Sequence, residues 1–253
     1  MGTGAITQYI DVAQLTLYLF WFFFAALIYY LVRENHREGY PMEVDGKTVV
    51  AGWPIPEPKT YRMAHGADVQ KPDFLPEPVN YNADPAHGYI GAPLVPHGDP
   101  MKANIGPGSY CERADVPDLD HTGKPRILPL RLLPKHSVSR NDIDPRGLPV
   151  VGADGEVGGT VRDLWCDASE QLFRYLEVET GPAHATYRVL LPIPFARIGR
   201  NQVSVNAVMG HQIAGTPVQR SDNQITFLEE EKIVAYFGAG TLYADPERAE
   251  PLV

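Results

Sequence analysis

The residues of this 253-residue chain with potential for chemistry are carboxylates that come in clusters. Asp115, Asp118 and Asp120 stand beside His121, Asp167 precedes Glu170, Glu177 precedes Glu179, and Glu229 to Glu231 are consecutive. Each cluster fits a solvated face or a helix terminus. The sharper alternative is proton handling, because carboxylates that are crowded or half buried take raised pKa values and imidazole titrates near neutral pH. Asp118, Asp120 and His121 also offer the donors of a weak surface site for a divalent metal. Asp163 and Arg174 alternate with apolar neighbours (Val161 and Trp165; Leu172 and Leu176), which leaves open an interior ion pair or an interface.

Catalytic signatures are absent. The chain has no GxxxxGK[ST], GxSxG, HExxH or CxxC, and no nucleophile–base pattern of a hydrolase. The glycine-rich GADGEVGGT (152–160) lacks phosphate-loop spacing and reads as a strand turn at Asp154-Gly155. Acids outnumber bases 31 to 22 for a formal charge of −9, which argues against nucleic acid as a partner. Cys111 and Cys166 suit a reducing compartment, and neither has a Cys or His at metal-ligand spacing.

These groups must be positioned by three kinds of segment. From Val12 to Val32 no residue is charged. At 1.5 Å per residue the run spans about 31 Å, a bilayer's hydrocarbon thickness, and a lone span must be a helix to satisfy its own amides. No Lys or Arg precedes it, which argues against a signal peptide. Arg33, Arg37 and Lys47 follow it, so the positive-inside bias puts residues 1–11 in the periplasm and the rest in the cytoplasm. Tyr29, Tyr30, Arg33, Arg37 and Tyr40 are the expected contacts with headgroups, preferably anionic ones. The bulky Trp21 to Phe24 block, without a GxxxG motif, suits either lipid or a large partner surface.

Residues 33–107 form a proline-rich extended segment, with 11 prolines between 41 and 100. Proline lacks the amide hydrogen that a helix needs. A linker and an ordered drape both fit, but Trp53, Tyr61, Phe74, Leu75, Tyr81, Tyr89 and Ile90 favour a drape over other chains. Residues 108–253 suffice for one domain. Period-two alternation places Leu172, Leu176 and Val178 on one face, with Tyr187, Val189 and Leu191 and then Val203, Val205 and Ala207 in further strands. Turn signals at Asp154-Gly155, Gly181-Pro182 and Gly199-Arg200-Asn201 separate them and predict a small antiparallel barrel or sandwich. A helix begins at the Thr226–Glu229 capping pattern, and Gly238 reads as its stop.

Together the stretches LIYYL (27–31), REGYP (37–41), GDPM (98–101), DPRGLPVVGADGEVGGTV (144–161), RYLEVE (174–179), LEEEKI (228–233) and YADPERAEPLV (243–253) carry a resemblance. In this order and spacing the chain resembles the H subunit of the purple-bacterial photosynthetic reaction centre over nearly its full length. The resemblance implies a single transmembrane helix in the bacterial inner membrane. It also implies a mainly β, PRC-barrel-like cytoplasmic domain with a C-terminal helix. Such a subunit is not an enzyme. It caps the L and M subunits, which hold the bacteriochlorophyll, bacteriopheophytin, quinones and non-haem iron, and itself binds no cofactor. A light-harvesting ring, a cytochrome subunit and membrane lipids are further implied partners.

The resemblance also implies help with proton transfer to the secondary quinone. Asp167 and Glu170 in CDASEQ match acids near the quinone end of that route, Arg174 matches their basic partner, and Asp120 and His121 match the region of the entrance. Some relatives carry a second histidine there, whereas this chain reads DLDHTGK. The competing reading is a generic membrane-tethered PRC-barrel adaptor that binds another cytoplasmic protein.

Overall fold

The computed structural model describes residues 4–7, 9–40, 42–44, 47–49, 55–64, 66, 68–73, 80–89, 91–182 and 185–248. Trp53, Phe74, Leu75 and Ile90 of the proline-rich segment lie outside the described residues. The chain divides into two compact units, residues 1–79 with 89–91, and residues 80–88 with 92–253.

The first unit opens with α1 (Val12–Asn35), whose N-cap Asp11 accepts a hydrogen bond from Gln14 N at 2.7 Å. None of its residues is buried, and it is long and apolar enough to cross a membrane. Its rings pack along its own surface, with Phe20 and Phe24 stacked at 5.8 Å and Trp21 edge-on to Phe24 at 6.0 Å. The helix passes the expected end at Val32 by three residues, into Arg33, Glu34 and Asn35. The proline-rich segment, expected to be extended, forms short antiparallel ribbons: β1 (Met42–Val44) with β2 (Lys47–Val49), and β3 (Lys59–Arg62) with β4 (Asp68–Lys71). Prolines stand outside these ladders, so pairing loses no amide donor.

The second unit begins with the ribbon β5 (Ala83–Pro85) and β6 (Leu94–Pro96). Its centre is a seven-stranded sheet made by β7 (Ile127–Pro129), β8 (Pro149–Val151), β9 (Val157–Asp167), β10 (Leu172–Thr180), β11 (Tyr187–Pro192), β12 (Ala196–Ile198) and β13 (Val203–Val205). The order is β11–β10–β9–β8–β13–β12. On one side β9 pairs with β10, and on the other its first half pairs with β8 and its last three residues with β7. Asp154-Gly155 is the expected turn between β8 and β9, with Gly155 at φ 80°. Alternation predicts an antiparallel sheet, but β13 runs parallel to β8. Parallel neighbours need a long crossover, which the excursion through β9 to β12 supplies.

The expected faces of β10 and β11 hold only in part. Leu172 and Tyr187 are exposed, while Tyr175, Leu176, Glu177 and Val178 are buried in succession. Two register shifts, at Phe173/Tyr175 and Glu177/Val178, break the period of two. The core gathers Val150, Leu164, Trp165, Leu176, Leu191 and Val205 from the sheet.

Ile233, Phe237 and Ala239 of α2 (Phe227–Tyr243) close this core. The expected capping box is present, with Thr226 Oγ1 accepting from Glu229 N at 3.2 Å and Glu229 Oε2 accepting from Thr226 N at 2.9 Å. Gly238 does not stop the helix. A methyl group there would collide with the Pro107 carbonyl, and one at Gly108 would stand 2.7 Å from Ala239 Cβ. These glycines admit the close approach of the 3-10 turn Gly106–Gly108 to α2. Residues 92–107, assigned by sequence to the extended segment, thus fold with the second unit, and Met101, Ala103 and Ile105 are buried there.

Gly238→Ala therefore sets a gain in helix propensity of about 1 kcal/mol against an overpacking cost of roughly 1–3 kcal/mol. We expect net destabilisation, read as a lower urea midpoint of the detergent-solubilised full chain. A raised midpoint would show that the approach is slack.

Candidate functional site: two arginine clamps on one strand

Both charged sites of the second unit depend on β7, which lies antiparallel to the end of β9 with Ile127 opposite Asp167 and Pro129 opposite Trp165. Arg126 precedes β7 and Arg131 follows it, so each guanidinium reaches one of two β9 acids four residues apart, Asp167 and Asp163.

The Arg126 clamp gathers most of the sequence-predicted acids. Arg126 Nη1 bonds Asp118 Oδ2 at 3.0 Å, and Nη2 bonds Asp167 Oδ2 at 2.9 Å and Glu170 Oε1 at 3.0 Å. Arg174 Nη2 takes the other Glu170 oxygen at 2.9 Å and lies 3.8 Å from Asp167 Oδ2. The β9–β10 turn builds this arrangement. Asp167 Oδ1 accepts from Ser169 N at 2.9 Å and Glu170 N at 3.0 Å, and Gln171, at φ 57°, returns its amide to Asp167 O. Asp167 is 2% exposed, whereas Glu170 and Arg174 are each nearly half exposed. The Glu170 hydrogen bond is the main cause that raises the Arg126 pKa. Arg126 Nε is buried and has no hydrogen-bond partner among the described residues.

Asp120 and His121 lie on the adjoining turn, closed by Asp120 N to Lys124 O at 2.7 Å and Arg126 N to Asp118 O at 2.9 Å. Asp120 Oδ1 bonds within that turn, to Thr122 N and Oγ1 at 2.7 Å each and Lys124 N at 3.0 Å. The Lys124 amide first, then the Thr122 hydroxyl, lower its pKa from 3.8 to about 2. His121 is exposed on the same turn.

The Arg131 clamp is deeper. Register sets Asp163 directly opposite Glu177, two like charges facing each other across β9 and β10. Arg131 Nη1 bridges them at 3.0 and 2.8 Å, Arg188 Nη1 bonds Glu177 Oε1 at 2.9 Å, and Trp165 Nε1 donates to Glu177 Oε2 at 2.9 Å. Asp163 thus belongs to an interior ion pair, with Arg131 rather than Arg174.

Residues 4–132 match the family model for the photosynthetic reaction centre H-chain N-terminal region, just over half of the chain. The chain belongs to the reaction centre H-chain family. Residues 140–212 match the PRC-barrel domain. Arg126 and Arg131 therefore come from the H-chain region, as does Asp118, and the other acids they clamp, Asp163, Asp167, Glu170 and Glu177, come from the barrel. Like others of its family the chain is a structural, non-catalytic subunit that associates with L and M subunits, and its apolar helix anchors it to the membrane. A generic membrane-tethered adaptor would not account for the H-chain match over residues 4–132, which sets that alternative aside.

Several expectations change on this H-chain. Asp118, Asp120 and His121 are not drawn together: among the described residues no three His, Cys, Asp or Glu side chains are grouped to hold an ion. Asp118 is turned to Arg126 and Asp120 into its own turn. Arg37, expected at the headgroups, is buried, bonding Glu34 at 2.8 and 3.0 Å, Glu57 O at 2.6 Å and Lys71 O at 3.2 Å. Tyr29 and Tyr30 are exposed, Arg33 and Tyr40 half-buried, and Tyr40 packs on His36 at 4.1 Å. Cys166 is buried, and burial raises its pKa, while Cys111 is exposed.

Sequence reasoning missed Arg126, Arg131 and Glu230 as specific partners. Glu230 Oε2 accepts from Tyr175 Oη at 2.6 Å in a cleft of about 270 Å³ that it shares with Arg113 and Arg174. Burial, the largest cause, raises both pKa values. The capping-box reading of Glu229 offered a signal: its neighbour one residue on must face another side of the helix.

Two outcomes follow. Arg131→Met leaves Asp163 and Glu177 opposed without their bridging cation and Glu177 with Arg188 alone, and should cost about 3 kcal/mol, the low end for a broken buried pair because Arg131 is a third exposed; adding Glu177→Gln should recover part of it in urea titrations. Asp120 has a depressed pKa, so its contribution is full above the ordinary carboxylate range near 4 and falls as pH drops toward 2. The stability difference between the native chain and Asp120→Asn should shrink over that window, and a difference independent of pH would contradict the turn's hydrogen bonding.

Proposed function

We propose that this reaction centre H-chain caps the cytoplasmic face of the L and M subunits and passes protons toward the secondary quinone. The observation that carries the reading is the unbroken run Asp118–Arg126–Glu170–Arg174, anchored on buried Asp167. Its groups lie within hydrogen-bond distance of one another and extend from an exposed turn past buried Asp167 to the half-exposed Glu170 and Arg174. In this reading α1 crosses the membrane with Arg33 at its cytoplasmic end, and the pigments, quinones and iron belong to L and M.

Each residue has a separable role. Asp120, with a pKa of about 2, carries no proton at neutral pH and acts as a fixed negative charge at the entrance. That leaves the imidazole of His121, on the same turn, as the proton carrier there. Asp167 is held by two backbone amides and Arg126, and sets the geometry of the turn. Glu170 is the acid that takes and releases the proton, because its carboxylate is half exposed and each oxygen faces a different guanidinium. When it is protonated, Arg126 keeps Asp118 and Asp167, so the cation is not left unpaired.

Glu170→Gln keeps the shape and removes the titrating group. In the purified complex it should slow the proton-coupled second electron transfer to the secondary quinone several-fold and leave the first transfer unchanged. The effect stays below the roughly 100-fold typical of a lone positioned proton donor because Asp118 and Asp167 remain. Unchanged flash kinetics would remove Glu170 from the route.

A further inference from the structure

A second charged feature of the barrel has no part in that route. Beside the Arg131 clamp lies a cleft of about 430 Å³, lined among others by Arg131, Arg146, Arg162, Arg188 and His136. Four guanidinium groups meet there in a chain whose net charge is −9. Only two carboxylates, Asp163 and Glu177, share the lining, and Arg131 and Arg188 already neutralise them on the cleft floor. The acids that pair with Arg146 and Arg162, namely Asp144 and Glu179, stand outside the lining.

The rim retains unused donors. Arg146 binds Asp144 through Nε and Nη2, Arg162 binds Glu179 through Nε, and Arg188 binds Glu177 through Nη1. Among the described residues, the remaining N–H groups of these three side chains make no side-chain or backbone hydrogen bond. Guanidinium forks with two adjacent free donors match the paired oxygens of a phosphate.

We propose that this cleft binds a phosphate oxyanion, either as free phosphate or as the phosphodiester of a lipid headgroup. Arg146, Arg162 and Arg188 grip the oxygens from the rim. Arg131 takes no direct part, since its cationic head is committed to Asp163, Glu177 and the Asp222 carbonyl. The site differs from the proton route and stands or falls independently of it.

The test uses the full-length chain in zwitterionic detergent at fixed ionic strength. Inorganic phosphate and monomeric dihexanoyl phosphatidylglycerol are titrated separately and followed by ³¹P NMR, with dihexanoyl phosphatidylcholine as the control headgroup. We expect saturable binding of phosphate, of phosphatidylglycerol or of both, and the responsive arm identifies the source. Binding should weaken at least about tenfold in Arg146→Gln/Arg162→Gln, whose positions are exposed and outside the buried clamp, and persist in Arg200→Gln on the β12–β13 turn. Retention of the native urea midpoint by the double variant excludes unfolding as the cause. No saturable binding in either arm, equal binding in the double variant, or equal binding of phosphatidylcholine would each overturn the proposal.

Discussion

The structure of the second unit depends on a like-charge opposition that β9 and β10 cannot avoid. Their register sets Asp163 across from Glu177, at 7% and 1% exposure, where two carboxylates repel at low dielectric. β7 delivers Arg131 between them, and Arg188 and Trp165 add bonds to Glu177. β7 has three residues and would hold its edge weakly by backbone bonds alone. The arginines at its two ends fasten it, Arg131 to the opposed pair and Arg126 to Asp167. The strand and its salt bridges thus form one device, in which backbone pairing sets the register and the charges make that register unique.

The division of family regions gives the device a meaning. The barrel match begins after β7, and the H-chain match ends within the Arg131 turn. Two guanidinium groups from the H-chain region therefore complete an acidic barrel that would otherwise hold three buried carboxylates, Asp163, Asp167 and Glu177, without these cations. Buried ion pairs contribute little net stability over an apolar core, but the loss of one partner is severe. Such an arrangement favours specificity of docking over raw stability. It also holds the acids of the proposed proton route on rigid strands, since the Asp167 turn closes the same β9–β10 hairpin that Glu177 locks ten residues away.

The two arginine-rich places on this domain differ in what their charges are free to do. At Arg126 acids predominate and one guanidinium serves three carboxylates, so a proton has several acceptors within reach. At the Arg146–Arg162–Arg188 rim guanidinium groups predominate and retain donors, so an anion is the complementary ligand. Both arise on one sheet whose chain carries a net negative charge, which shows that net charge describes the chain and not its faces.

Sequence by itself determined the features that depend on near neighbours. The α1 span follows from a charge-free run ending at Arg33, the start of α2 from the reciprocal bonds of Thr226 and Glu229, and the β8–β9 turn from Asp154-Gly155. Asp167 and Glu170 were also legible as a pair, because a single turn holds them, whereas Arg174 joined them only through the family resemblance. Tertiary structure alone decided which cations they meet. Arg126 lies 41 residues from Asp167, and Arg131 lies 46 from Glu177, separations at which no local periodicity carries information. It likewise turned Gly238 from a helix stop into a packing contact and Arg37 from a headgroup contact into a buried staple. In each case a partner distant in sequence supplied a contact stronger than the local preference, and only the folded chain brings that partner near.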